Sequence, residues 1–245
     1  MLRFSVVCIG GLLVAASSAY ADGPFEGPIE PVSAFTWTGF YIGGNGGYGW
    51  AANPGNITYN NLENGNSDVS GGPNASGGFG GGQIGYNWQG AFGSSFVLGI
   101  EADIQGSNIS DTFNGMTLGG ITGSVSQDVN WFGTVRGRVG WALDRTLIYA
   151  TGGFAYGQVE NRFNGSDGVE SIVLRSDSDQ TGYVVGGGIE HFVGTNISFK
   201  FEYQFIDLGG ERAYGFAEPS DIAIRTSPID ASFHTLRAGL NFKFY

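Results

Sequence analysis

The stretch Trp37-Thr-Gly-Phe-Tyr-Ile-Gly-Gly-Asn-Gly-Gly-Tyr-Gly-Trp50 decides how this chain is read. It holds six glycines, five aromatic residues and no charge. A phosphate loop, a flexible linker and a strand are the candidates. Gly44-Asn-Gly46-Gly-Tyr-Gly49 fits the GxGxxG spacing of a dinucleotide loop, and Gly80-Gly-Gly82-Gln-Ile-Gly85 fits it again. Such a loop needs a helix opening at its end, so that backbone amides converge on a pyrophosphate. Aromatic alternation runs through both stretches instead, and no amphipathic helix follows. A linker is poor in large apolar groups. A strand remains. Phe40, Ile42, Tyr48 and Trp50 share one parity, Tyr41 and Asn45 the other, which assigns them to opposite faces.

The rest of the chain says where that strand lies. Of 245 residues only 13% are charged, against 14% aromatic and 41% hydrophobic. The charged share is about half that of a soluble domain, so much of the surface does not face water. Forty-five glycines occur without a Gly-X-Y period, which excludes collagen. No later run holds eighteen consecutive apolar residues, which argues against a helical membrane protein.

Residues 1–21 read as an export signal. Arg3 begins it, Val6 to Ala16 is its short apolar run, and Ala19-Tyr20-Ala21 precedes Asp22. Cleavage is expected between Ala21 and Asp22. Cys8, the sole cysteine, leaves with this segment, so neither a disulfide nor a thiolate metal site is expected afterwards. The formal net charge is −11. Phosphate contacts need Lys and Arg, so no nucleic-acid partner is expected.

Export, little charge and no long apolar run meet in one architecture, a transmembrane β-barrel whose strands alternate. Ile197, Phe199, Phe201, Tyr203 and Phe205 alternate with Ser198, Lys200, Glu202 and Gln204. Leu236 to Phe244 and Val135 to Trp141 repeat the pattern, as does Leu98 to Ile104. Eight strands follow, near 38–51, 78–89, 95–106, 128–142, 145–160, 180–192, 195–208 and 232–244. Their connections alternate long and short: long over 52–77, 107–127, 161–179 and 209–231, short over 90–94, 143–144 and 193–194. Barrels of outer membranes pair short periplasmic turns with longer extracellular loops. The expected fold is therefore an all-β, eight-stranded antiparallel up-and-down transmembrane β-barrel with four long extracellular loops. It occupies 36–245, after a periplasmic N-terminal linker over 22–35.

Thirteen residue steps separate Trp37 from Trp50. At a tilt of about 40° they rise roughly 33 Å, against an apolar band of about 25 Å. Trp37 and Trp50 thus fall at the two interfaces. Trp88 and Trp141 end strands at the periplasmic aromatic girdle, and Trp131 begins one at the outer girdle.

The other parity carries charge. Glu101 and Asp103 on one strand neighbour Arg136 and Arg138 on the next. Lys200 and Glu202 neighbour Arg237 and Glu190. An Arg or Lys facing lipid at the midplane costs about 2–4 kcal/mol, so these eight are expected to form an ionic network inside the barrel. An eight-stranded lumen is just wide enough for side chains. Structural packing is the leading interpretation, with a narrow gated pore as the alternative.

No catalytic, metal or cofactor site stands out. His191 belongs near a periplasmic turn and His234 near the outer rim, too far apart for one site. The four long connections hold eleven acidic residues and four arginines. Asp177 and Asp179 among them are read as solvated surface.

Trp37 to Trp50, Tyr149-Ala-Thr-Gly-Gly-Phe-Ala-Tyr-Gly157 and Arg237-Ala-Gly-Leu-Asn-Phe-Lys-Phe244 resemble the first, fifth and last strands of the small outer-membrane β-barrel proteins of Gram-negative bacteria. These are the OmpA-like transmembrane or porin-family barrels. The resemblance covers about residues 35–245. It implies a cell outer-membrane location reached by Sec-type export, with lipid bilayer and lipopolysaccharide as surroundings. It further implies that Gly239, Phe242 and Phe244 form the signal read by the barrel-assembly machinery, with Tyr245 one residue out of phase. The function implied is a structural barrel supporting envelope integrity. Some relatives are surface antigens or bind host components or haem, so a surface binding protein is the second implied function. No residue-level site for these roles carries over.

Overall fold

The computed structural model describes residues 35–52, 56–60, 67–71, 73–90, 92–118, 121–166, 171–211, 214–217, 222–225 and 229–244. The export signal, the cleavage point at Ala21 and Asp22, Cys8, most of the linker and Tyr245 lie outside them.

Among the described residues twelve strands follow in order: β1 (Gly39–Ala51), β2 (Asn56–Asn60), β3 (Ser67–Gly71), β4 (Ser76–Gly90), β5 (Gly93–Leu118), β6 (Ile121–Leu143), β7 (Thr146–Ser166), β8 (Ser171–Phe192), β9 (Ile197–Glu211), β10 (Tyr214–Ala217), β11 (Ile222–Arg225) and β12 (Ile229–Lys243). Eight of them close into one antiparallel barrel in the order β1-β12-β9-β8-β7-β6-β5-β4. Closure is made by β1, which pairs with β4 from Gly39 to Trp50 and with β12 from Tyr41 to Ala51. No edge remains at membrane height. That is the condition for a sheet in hydrocarbon, where an unpaired amide has no water to turn to.

The three short connections lie at one end, together with both ends of the barrel. Between β6 and β7, Leu143 pairs with Thr146, leaving a two-residue turn in which Asp144 takes φ +54. Aspartate tolerates this left-handed conformation better than most residues.

The opposite end departs from the expected strand limits. The connections read as 107–127 and 161–179 are largely strand. β5 and β6 stay paired out to Leu118 opposite Ile121, and β7 and β8 out to Ser166 opposite Ser171. Beyond the membrane an outward face no longer has to be apolar, so two-residue hydropathy fades while backbone pairing persists. A bulge hides the continuity further. The β6–β7 register shifts between Val129 and Trp131, so Phe132 and Val129 both point inward despite opposite parity. The other two long connections carry small hairpins, β2–β3 and β10–β11.

Side chains sort by face. Among the described residues, large apolar side chains lie exposed on the outside, including Phe40, Ile42, Ile100, Val135, Phe154, Phe201 and Leu240. In water this belt would be untenable. In lipid it is the solvated surface.

Candidate functional site

The lumen is the chemically distinctive part of the molecule, and it is built in three layers. The short-turn end is apolar. Trp37, Val97, Ala142, Leu147, Tyr149 and Phe192 pack together, with Phe35 against them. Trp37 is fully buried, its ring 4.8 Å from that of Phe192. Its indole N–H donates to the Asp144 carbonyl at 3.1 Å, and its amide donates to Gln89 Oε1 at 2.7 Å. The girdle assignment of Trp37 is therefore corrected. It stands at the expected height but on the lumen parity, shared with Tyr41, and closes the mouth from within.

Trp37→Phe should keep the packing and lose the indole hydrogen bond, lowering stability by about 1 kcal/mol. The same substitution should remove the emission component least accessible to acrylamide. An unchanged quenching profile would contradict this placement.

The middle layer is ionic. Glu101, Asp103, Glu190 and Glu202 meet Arg136, Arg138, Lys200 and Arg237, all at most 4% exposed. Formal charges balance, four against four. Arg136 reaches Glu202 Oε1 and Asp103 Oδ2, each at 2.7 Å, and also bonds Glu101. Arg237 Nε donates to Glu202 Oε1 at 2.8 Å, and its Nη1 lies 3.2 Å from Asp103 Oδ2. Lys200 Nζ donates to Glu101 Oε1 at 2.7 Å. Arg138 Nη2 donates to Glu190 Oε2 at 2.6 Å, with its guanidinium 4.1 Å from the centre of the Tyr149 ring.

The register explains part of this pattern. Glu101 stands opposite Arg136 and Glu202 opposite Arg237, and both pairs bond. Glu190 stands opposite Lys200, yet these two do not pair. Lys200 crosses the lumen to Glu101, and Glu190 takes Arg138 instead. Strand neighbours are legible from alternation; partners across the barrel depend on its closure.

Neutral groups supply further hydrogen bonds, although Asp103 Oδ1, Arg136 Nε, Arg138 Nε and Arg237 Nη2 keep no partner among the described residues. Tyr41 donates to Glu101 Oε2 at 2.7 Å and accepts from Arg138 at 2.9 Å. Tyr149 donates to Glu202 Oε2 at 2.6 Å, Thr134 to Asp103 at 2.8 Å and Asn241 to Glu190 at 2.8 Å. The Tyr41 ring lies over Gly85, where a Cβ would strike it. This is one place where the glycine of the strand is required by a close approach.

The outer layer is apolar again. Phe79, Ile109, Val129, Phe132, Val159, Val184, Ile206, Leu208 and Phe233 form one cluster. Phe132 stands 5.3 Å edge-on to both Phe79 and Phe233. The sequence signal for both apolar layers was a break in alternation. Phe205-Ile206, Tyr183-Val184-Val185 and Val97-Leu98 are apolar on both parities, as a strand needs between lipid outside and a dry lumen inside.

On the outside, Trp88 and Trp141 are exposed near the short turns. Trp131 packs edge-on to Tyr156 at 5.9 Å, and Trp50 lies 5.7 Å from His234. His234 Nδ1 bonds the Tyr203 hydroxyl at 2.7 Å, whereas His191 Nδ1 bonds Thr146 at 2.9 Å at the other end. Gly239 faces inward, while Phe242 and Phe244 face lipid with rings 5.4 Å apart. Among the described residues no group of three or more His, Cys, Asp or Glu could hold a metal ion.

A closed eight-stranded barrel with an apolar exterior and packed charged and apolar side chains inside defines a membrane-spanning barrel. The chain belongs to the family described as outer membrane protein beta-barrel domain, whose model matches residues 7–244. It is similar to the 31 kDa outer-membrane immunogenic protein of Brucella melitensis biotype 1, 35% identical over 98% of this chain and 97% of that protein. The 22 kDa outer membrane protein of Rhizobium leguminosarum bv. viciae is 34% identical over 74% of this chain and 68% of its own length. Among solved structures, OprG from Pseudomonas aeruginosa aligns at a TM-score of 0.48 and 13% identity, covering 86% of this chain and 99% of that one. The protein is thus an outer-membrane protein that crosses the bilayer repeatedly.

Proposed function

We propose that this protein is a structural, non-conducting barrel that supports outer-membrane integrity. The observation that carries the reading is the lumen, in which a charge-balanced network is enclosed between two apolar layers. A pore needs a continuous polar path, and an apolar cluster lies on either side of the ionic layer. Purified protein in planar bilayers should give no discrete conductance events; regular steps would sink this reading. Deletion should raise sensitivity to detergent, restored by the wild-type gene. A deletion strain as resistant as its parent would count equally against it. No catalytic role belongs to this reading, since the two histidines sit at opposite ends.

The same reading takes residues 1–21 as a removed export signal. It takes Gly239, Phe242 and Phe244 as the contact for the assembly machinery, and lipopolysaccharide as the outer surroundings. A second reading is surface binding, to host components or haem, with the exposed parts acting as a surface antigen. It is favoured by the sheet of β5 to β8, which stands out beyond the apolar belt. Exchanging residues 107–127 and 161–179 for short turns tests it; unchanged binding to cells or ligand would remove it.

A further inference from the structure

The chain reaches β1 through the mouth of the barrel. Residues 35–37 lie across the short-turn end and bind to β4, the β6–β7 turn, β8 and β12. Trp37 donates its amide to Gln89 on β4 and its indole N–H to the Asp144 carbonyl in the turn. Its ring packs on Phe192 of β8. Phe35 stands 5.0 Å from the same ring. The Arg145 guanidinium lies 5.7 Å from the centre of the Phe35 ring, and Lys243 Nζ lies 5.3 Å from it. Lys243, on β12, also donates to the Thr36 carbonyl. At Gly39 the backbone takes φ +144, a conformation open to glycine and costly for other residues. There the chain leaves the mouth and joins the wall as β1.

These contacts span the seam that closes the ring. β1 and β12 are the first and last strands of the barrel, and their pairing alone turns the sheet into a ring. Side chains hold this seam sparingly. Cross-strand side-chain pairs are what stabilises one strand against the next. Over 43–47 every opposed pair between β1 and β12 includes a glycine, from Gly43–Asn241 to Gly47–Arg237. Between β9 and β12, over 197–206, Lys200–Gly239 is the sole pair that does. Glycine inside a strand weakens it, and regions with few side-chain contacts open below the cost of global unfolding. For β1 to part from β12, residues 35–37 must also leave Lys243, Phe192 and Asp144. The mouth contacts therefore add, from inside the lumen, the hold that the glycine-rich seam lacks.

We propose that residues 35–37 are a clasp on the closing seam, so that the barrel opens between β1 and β12 when Trp37 is released. The test is the unfolding rate of the full chain in phospholipid vesicles under urea, read by heat-modifiable gel migration. Trp37→Ala should speed unfolding at least about tenfold. A disulfide then decides where the clasp acts. Ile42→Cys with Phe242→Cys staples β1 to β12, and Val139→Cys with Ala150→Cys staples β6 to β7; both pairs are opposed in register, at a spacing that a disulfide spans. With the seam stapled, Trp37→Ala should change the rate by less than about twofold, and reduction should restore its full effect. With β6 stapled to β7, the effect of Trp37→Ala should persist. Should Trp37→Ala fail to assemble, Phe35→Ala is read in the same way, through its lost contacts to Phe192, Arg145 and Lys243, with an effect of about threefold. The proposal is overturned by an unchanged unfolding rate, by an effect that survives the seam staple, or by equal suppression from the two staples.

Discussion

Glu202→Ala should cost the folded barrel about 3–5 kcal/mol, the penalty for breaking a buried ion pair by removing one partner. Glu202 accepts from Arg136 and Arg237 through one oxygen and from Tyr149 through the other, and Gln204 bonds it as well. Alanine leaves the Arg136 and Arg237 guanidinium groups without the carboxylate oxygen they share. Glu202→Gln keeps the shape and one acceptor, and should lose less. Urea titration in phospholipid vesicles, followed by tryptophan emission, measures both. A loss below about 1 kcal/mol for alanine would mean that the network is solvated, as surface pairs are. Arg237→Met in the Glu202→Ala background should recover part of the loss, since Arg237 then keeps only its 3.2 Å contact to Asp103 whereas Arg136 still bonds Glu101 and Asp103. Recovery is expected because an apolar group in place of an orphaned charge removes the desolvation penalty.

Phe201→Arg should cost about 2–4 kcal/mol, the price of a cation at the bilayer midplane. Phe201 is 66% exposed on the outer face of β9, between Phe199 and Tyr203 on the same face. A water-exposed position of this kind would change stability by at most about 0.5 kcal/mol. Asn114→Arg is the comparison, on the part of β5 beyond the belt, and should be nearly neutral. The contrast between the two places the membrane boundary on the strands. Equal effects would contradict the assignment of the Phe201 face to lipid.

The ionic lumen and the lipid belt are linked by register. Along β9 the apolar residues Ile197 to Tyr203 face out while Ser198, Lys200, Glu202 and Gln204 are buried. Slipping one residue turns every charge into hydrocarbon and every aromatic ring into the ionic layer. An ionic interior is a costly way to fill a barrel, since apolar packing of equal volume is often as stable. It does penalise each wrong register.

Much of this was open to inspection in the one-dimensional pattern. Eight strands, their faces, the alternation of short and long connections and the eight lumen charges follow from a period of two and from export. These are local properties, carried by each strand alone. Trp37 shows where that stops. Its height followed from residue count, but its side depended on how the chain enters β1 beneath Phe192. Lys200 and Glu190, opposite in register yet bonded elsewhere, depended on which strands face one another across the closed ring. The continuation of β5 to β8 beyond the membrane was hidden because water relaxes the outward pattern while hydrogen bonding between backbones goes on. The amino-acid sequence by itself determined that this chain is a lipid-facing barrel with charges inside. Only the tertiary structure decided how those charges pair and that apolar layers cap them. Contacts across a closed barrel have no counterpart in the order of residues along a strand.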